Sequence, residues 1–217
     1  SLRNPALRGL LDAVLGDPHI AAALQCSPAA KTIHHAFIGG LLEHSLSVAR
    51  LVDAMVLHYA HAAPGLLDRD LALAGALLHD IGKIRELDAD HGFRYTDAGR
   101  LVGHIVLGIN LLEEKLRELP GFPEELALRL RHVLLAHHGT LEHGSPKRPK
   151  TPEAFVVHYA DELDCQFGYL RELFERYVRE IIGTGWPPDY ARGRHLILQI
   201  LEKEMAKYLA LHPSPSP

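Results

Sequence analysis

Apolar residues recur at helical spacing through nearly the whole chain, and no alternating run longer than four residues predicts a strand. The spacing predicts helices over residues 5–15, 40–61, 68–79, 97–119, 123–138, 152–179 and 194–211. Breakers separate them: Pro64-Gly65, Pro120-Gly121, Gly139 and Pro187-Pro188 fall between periodic segments. Pro123 and Pro152 sit at first-turn positions, where a missing N–H is harmless, and Thr151 is a suitable cap. Residues 141–150 form a Gly/Pro/basic loop, and 212–217 read as a disordered tail. The expected fold class is all-α.

Helical faces place several histidines. At 100° per residue, Leu41, Val48, Val52, Met55 and Tyr59 fall within about 40° of one line, with His44 about 60° away at its edge. On the next long helix Leu101, Gly108, Leu112 and Leu119 define the stripe, and His104 again lies about 60° to one side. His137 falls within the stripe of Leu126, Leu130 and Val133. The segment 71–78 is apolar all round, which predicts a central helix, and it runs into His79-Asp80. Four helices thus turn an imidazole inward. Buried polar groups need partners, and a shared ion satisfies several converging imidazoles more economically than separate hydrogen bonds. Asp161 is different: the stripe of its helix is Phe155, Tyr159, Leu163 and Leu170, and it faces away from them, beside Val157, Cys165 and Gly168.

Composition narrows the class. The chain has 217 residues, 47% hydrophobic and 23% charged, which excludes a disordered or disulfide-stapled protein. A net charge of −4 argues against binding duplex DNA by general electrostatics, so any nucleic-acid contact is local. Two cysteines, Cys26 and Cys165, make no framework and point to a reducing, cytoplasmic compartment. No run reaches the length of a membrane span. The chain opens at Ser1 rather than Met, which suggests trimming. Sixteen histidines, scattered rather than tagged, are the compositional excess, and histidine is the commonest metal ligand.

His79-Asp80-Ile81-Gly82-Lys83 puts two metal-capable side chains and a cation at the end of a buried helix. A carboxylate beside an imidazole binds one ion terminally and bridges to a second, and Lys83 suits a phosphate oxygen. Alone, the motif also fits a helix C-terminus whose histidine meets the dipole and whose glycine caps it. His34-His35 precede Gly39-Gly40, which would bring backbone close to the metal helix or to a ligand, and Lys147, Arg148 and Lys150 form a short basic loop after His138; a solvated pair and a solvated charge run are their plain readings. His58, His61, His91, His143, His195 and His212 read as surface residues, while His132 and His158 are open to a supporting role behind ligands.

His44, His79-Asp80, His104, His137-His138 and Asp161 match the order of the HD-domain superfamily of metal-dependent phosphohydrolases, which this chain resembles. Within it the chain is similar to the YhaM-type 3′-to-5′ exoribonucleases. HHAFIGGLLEHS (34–45), LLHDIGKIREL (77–87), GRLVGHIVLG (99–108), the run 134–164 and Tyr95-Thr96 carry that likeness. The resemblance implies an HD helical bundle over residues 28–168 with a buried metal site between helices, after an N-terminal helical segment (1–27) and before a C-terminal helical extension (169–211). That branch carries an OB-fold RNA-binding domain ahead of the HD domain, whereas 1–27 is all that precedes the match here.

The ligand set implied is His44, His79, Asp80 and Asp161 for one divalent ion and His104, His137 and His138 for a second, with Asp80 bridging. Such donors with open positions suit Mn²⁺, or Fe²⁺ or Co²⁺, better than structural zinc. A hydroxide shared by ions about 3.5–4 Å apart would attack phosphorus in line, with Lys83 neutralising charge. His34 or His35 would contact substrate or protonate the leaving oxygen, and Lys147 and Arg148 would hold the RNA. The expected activity is release of nucleoside 5′-monophosphates from an RNA 3′ end. An HD-type nucleotide or cyclic-dinucleotide phosphohydrolase is the nearest alternative, and a non-catalytic metal-binding regulatory module the next. No oligomeric state is assigned.

Overall fold

The computed structural model describes residues 2–31, 37–88, 93–183 and Lys203. The chain divides into two compact units, Ser1–Cys165 and Gln166–Pro217. The first unit holds α1 (Pro5–Leu15), α2 (Pro18–Cys26), α3 (Gly40–Tyr59), α4 (Arg69–Leu78), α5 (Lys83–Glu86), α6 (Asp97–Leu101), α7 (His104–Arg117) and α8 (Glu124–Ala136). It also takes in α9 (Pro152–Gly183) as far as Cys165. A two-residue antiparallel ladder, β1 (Leu87–Asp88) with β2 (Arg94–Tyr95), pairs Leu87 with Tyr95. The fold is the expected all-α bundle, and the predicted helix over 194–211 lies outside the described residues apart from Lys203.

α4 is the axis of the first unit. One side packs Leu71, Ala74 and Leu78 against α1, α2, α7 and α8. Its other side packs Ala72 and Ala76 against Val48 and Val52 of α3, Val133 of α8 and Ala154, Val157 and Ala160 of α9. Leu71, Leu130 and Leu134 are fully buried, each contributing about 1.5–3 kcal/mol of apolar transfer. Two aspartates fix the ends. Asp68 caps α4 by accepting from the Leu71 N–H, and buried Asp70 accepts the Arg3 and Asn4 N–H groups at 2.5 and 2.6 Å, tying the start of α1 to α4.

Four elements depart from the periodicity reading. α2 is a separate helix with Asp17 as N-cap and Pro18 in its first turn. The expected helix 97–119 is broken at Gly103, whose φ of 80° and ψ of 155° cannot continue a helix. Leu101 therefore leaves the stripe of α7 and is 86% exposed. The stripe expected on α9 is inverted as well: Phe155, Tyr159 and Leu163 are exposed, whereas Val157 and Ala160 are buried with Asp161. Tyr59, the last residue of α3, is also exposed.

Candidate metal centre

The site grows from the turn that ends α4. His79 stands at its C-cap, and Asp80 to Gly82 turn into α5. A β-carbon at Gly82 would lie 1.9 Å from the His104 carbonyl oxygen and 2.4 Å from the Gly108 nitrogen. Only glycine lets the first turn of α7 pack onto this backbone, and that contact sets His104 beside Asp80. α3 brings His44 from one side, α8 ends at His137 on the other, and α9 supplies Asp161. His44, His79, Asp80 and His137 are each no more than 2% exposed.

Asp80 divides the site by its two oxygens. Oδ2 lies 3.5 Å from His44 Nε2 and 3.4 Å from His79 Nε2. Oδ1 lies 3.4 Å from His104 Nε2 and 3.5 Å from His137 Nε2. Asp161 joins the first group, with Oδ1 3.1 Å from His44 Nε2 and 3.6 Å from His79 Nε2. The second group includes His138, whose donor atom falls within 4.8 Å of those of Asp80, His104 and His137. Lys83 Nζ sits 2.6 Å from Asp80 Oδ2. The seven residues expected as metal ligands thus converge on one place.

The imidazoles are aimed by bonds on their far nitrogens. His79 Nδ1 pairs with the Ala76 carbonyl, His137 Nδ1 with the Leu134 carbonyl and His138 Nδ1 with the His143 carbonyl, each at 2.8 Å. His44 Nδ1 pairs with Asp164 Oδ2 at 2.8 Å, and Ser47 Oγ donates to the other oxygen of Asp164. Glu86 Oε1 accepts the His104 N–H at 3.0 Å and lies 3.3 Å from His104 Nδ1. In every case Nε2 is left to face the centre, as metal-ligating histidines require. His158 supports the same backbone, its Nδ1 2.8 Å from the His137 carbonyl, whereas His132 Nε2 accepts the Lys150 N–H.

A divalent cation fits this donor set. Buried Asp80 Oδ1, His104 Nε2 and His137 Nε2 have no hydrogen-bond partner, and three such atoms converging on one point are costly unless a cation takes them. Electrostatics agree. Burial acts to lower His44 and His79, but the carboxylates of Asp80 and Asp161 overcome it, holding His44 well above its usual range and His79 at about 9. Burial would raise Asp80 and Asp161, yet Lys83 and the imidazoles hold Asp80, and the His44 and His79 imidazoles hold Asp161, well below the carboxylate range. On the far side burial, with the neighbouring imidazoles, pulls His138 down to about 3, and burial lowers His137. At about 3, His138 is a neutral nitrogen donor near neutral pH.

Lys147 and Arg148 are exposed on the loop that follows His138, and His34 and His35 lie outside the described residues. Three further residues belong to the site: Asp164, Ser47 and Glu86. Asp164 carried a signal, one turn after Asp161 on the same face, but nothing in the sequence marks a carboxylate as a partner of His44.

The HD domain family profile matches residues 41–165. Among curated relatives, the 3'-5' exoribonuclease YhaM of Bacillus subtilis (strain 168) is 40% identical over 149 residues, 69% of this chain and 46% of that protein. The protein of the same name from Bacillus velezensis is 40% identical over 156 residues, covering 72% and 48%. That from Shouchella clausii is 37% identical over 175 residues, covering 81% and 52%. The chain spans about half the length of the curated relatives it matches. No solved structure matches significantly. With the matched segment covering the helices that carry His44, His79-Asp80, His104, His137-His138 and Asp161, the chain belongs to the HD-domain family.

Proposed function

We propose that this chain is the catalytic part of a metal-dependent phosphohydrolase that removes nucleoside 5′-monophosphates from the 3′ end of RNA. The observation that carries the reading is the Asp80 carboxylate, one oxygen turned to His44 and His79 and the other to His104 and His137. RNA as substrate, rather than a small nucleotide, follows from the relatives named as exoribonucleases. The ligands are His44, His79, Asp80 and Asp161 on one side and Asp80, His104, His137 and His138 on the other, for two ions of the Mn²⁺ class. Fe²⁺ and Co²⁺ suit the same nitrogen and oxygen donors.

Divalent ions bound here supply an activated water near neutral pH and charge compensation for the transferring phosphoryl group. The chain's residues do the rest. Asp80 fixes the separation of the two halves, and Lys83, beside it at 2.6 Å, offers its ammonium to a phosphoryl oxygen as negative charge builds. Lys147 and Arg148 engage the RNA backbone. His34 or His35 contacts the substrate or protonates the leaving oxygen. Residues 28–168 are the catalytic region, flanked by the helical segments 1–27 and 169–211, and the protein works in the cytoplasm.

The test is a turnover assay after chelation and reloading with Mn²⁺. It offers 3′-hydroxyl single-stranded RNA beside a panel of nucleotides and cyclic dinucleotides, with products identified by mass. Stepwise 5′-monophosphate release from RNA is the expected result. Turnover of a small nucleotide with RNA left intact would overturn the substrate assignment, and no turnover of any phosphoester would overturn the enzyme reading.

A further inference from the structure

His104 shares its support with an exposed aromatic ring. Glu86, whose side chain accepts the His104 N–H at 3.0 Å, also accepts the Thr96 N–H through its carbonyl at 2.9 Å. Thr96 Oγ1 donates to the Arg85 carbonyl at 2.8 Å, and a β-carbon at Gly99 would lie 2.3 Å from the Glu86 carbonyl oxygen. Tyr95 and α6 are therefore fixed on the backbone that sets His104. The Tyr95 ring is 41% exposed, with Lys31 Nζ over it at 5.9 Å from the centroid. Thr96 caps α6, so Tyr95 precedes the cap and Arg100 is the fourth residue of the helix, positions that lie against each other at a helix entry. Lys31 and Arg100 are exposed, and neither pairs with a carboxylate among the described residues, whereas Arg85, Lys115, Arg129 and Arg131 all do. From Arg100 the chain runs through Leu101 and Val102, 86% and 45% exposed, to Gly103 and His104.

We propose that Tyr95, Lys31 and Arg100 form a platform for the single-stranded RNA that leads to the metal centre: a base stacks on the Tyr95 ring, and Lys31 and Arg100 take the phosphates beside it. An aromatic face next to unpaired cations holds a single strand without regard to sequence, because every base has a π-face and every nucleotide a phosphate. That tolerance suits an enzyme that must pass each base of a strand toward one site. The chain's net charge of −4 offers no general attraction for RNA, so cations free of carboxylates, gathered at one place, have to supply it. Arg94 does not belong to the platform, since alternation along β2 turns it to the other face of the ladder. The platform's part in turnover rests on the exoribonuclease reading of the centre; the binding does not.

The test follows the fluorescence anisotropy of a labelled single-stranded RNA with a free 3′ hydroxyl on the chelated chain, and then kcat and KM for the same RNA after reloading with Mn²⁺. Tyr95→Ala and Tyr95→Leu, the second keeping apolar bulk on β2, are each expected to weaken binding about five- to a hundredfold with an unchanged salt dependence. Tyr95→Phe, which keeps the ring, should bind as the wild type does. Lys31→Ala and Arg100→Ala are each expected to lower the slope of log affinity against log salt by about 0.7, and Arg94→Ala to leave it in place. In turnover the Tyr95→Leu loss should appear in KM rather than kcat. Wild-type affinity in Tyr95→Leu, an equal loss in Tyr95→Phe, or a slope change in Arg94→Ala as large as in Arg100→Ala overturns the platform. Binding that follows the expected pattern in protein that cleaves no RNA keeps the platform and overturns the exoribonuclease reading. RNA cleavage with an affinity indifferent to Tyr95 does the reverse.

Discussion

Asp80 is the residue on which both halves of the centre depend, and its neighbours set how it is used. Lys83 is held against it in a site of low exposure, where the ion pair is stronger than at a surface. Lys83→Ala is expected to lower kcat by about tenfold to a thousandfold, the range for a lost transition-state cation contact, with little change in bound metal measured by elemental analysis. Full turnover in that variant would make the lysine a structural counter-ion only. Asp164 acts one step further out. It holds His44 through Nδ1 while Ser47 holds Asp164, so Asp164→Asn should weaken ion affinity by about 10–100-fold in calorimetric titrations. Unchanged affinity would show that packing alone orients His44.

The inward imidazoles were legible at this scale because a 3.6-residue period is a strong signal. His137 falls on its stripe, and His44 and His104 lie on the edges of theirs. The partners of those imidazoles were not legible. Three of them are main-chain carbonyls, which no sequence distinguishes, and Glu86 reaches His104 across 18 positions.

The turn between α4 and α5 and the first turn of α7 make one unit of packing. Gly82→Ala would drive a β-carbon into the His104 carbonyl. The backbone contact must open, which should cost about 1–3 kcal/mol in denaturant melts and detach His104, reducing ion stoichiometry. Wild-type stability and stoichiometry together would show that α7 tolerates the shift. Elements were read well where bounding residues and the apolar pattern agreed, as in α1, α4 and α8. α2 was missed despite its Asp17-Pro18 signature, since nine residues hold too few turns for a period to emerge. The two-residue strands are shorter than any alternation can register. α9 misled because exposed Phe155, Tyr159 and Leu163 form a more apolar stripe than the buried face shared by Val157, Ala160, Asp161 and Asp164.

At the scale of the whole molecule, the metal centre links stability to pH. In chelated protein His79 is raised from 6.5 to about 9 by its carboxylate neighbours, against burial. A raised folded-state value stabilises fully below the unfolded value and loses its effect as pH climbs through the folded one. The melting temperature of chelated protein is therefore expected to fall between pH 6.5 and 9, while ion binding tightens over the same window as the competing proton leaves. A flat or rising profile across that interval would contradict the protonated His79.

The most direct test of the centre is anomalous diffraction at the manganese edge from crystals of reloaded protein, alongside Asp80→Ala. Two peaks about 4 Å apart are expected, one on each side of the Asp80 carboxylate, and neither ion nor turnover in a variant that keeps its helix content. A single peak, or two ions and most of the activity retained without Asp80, would contradict the Asp80 bridge.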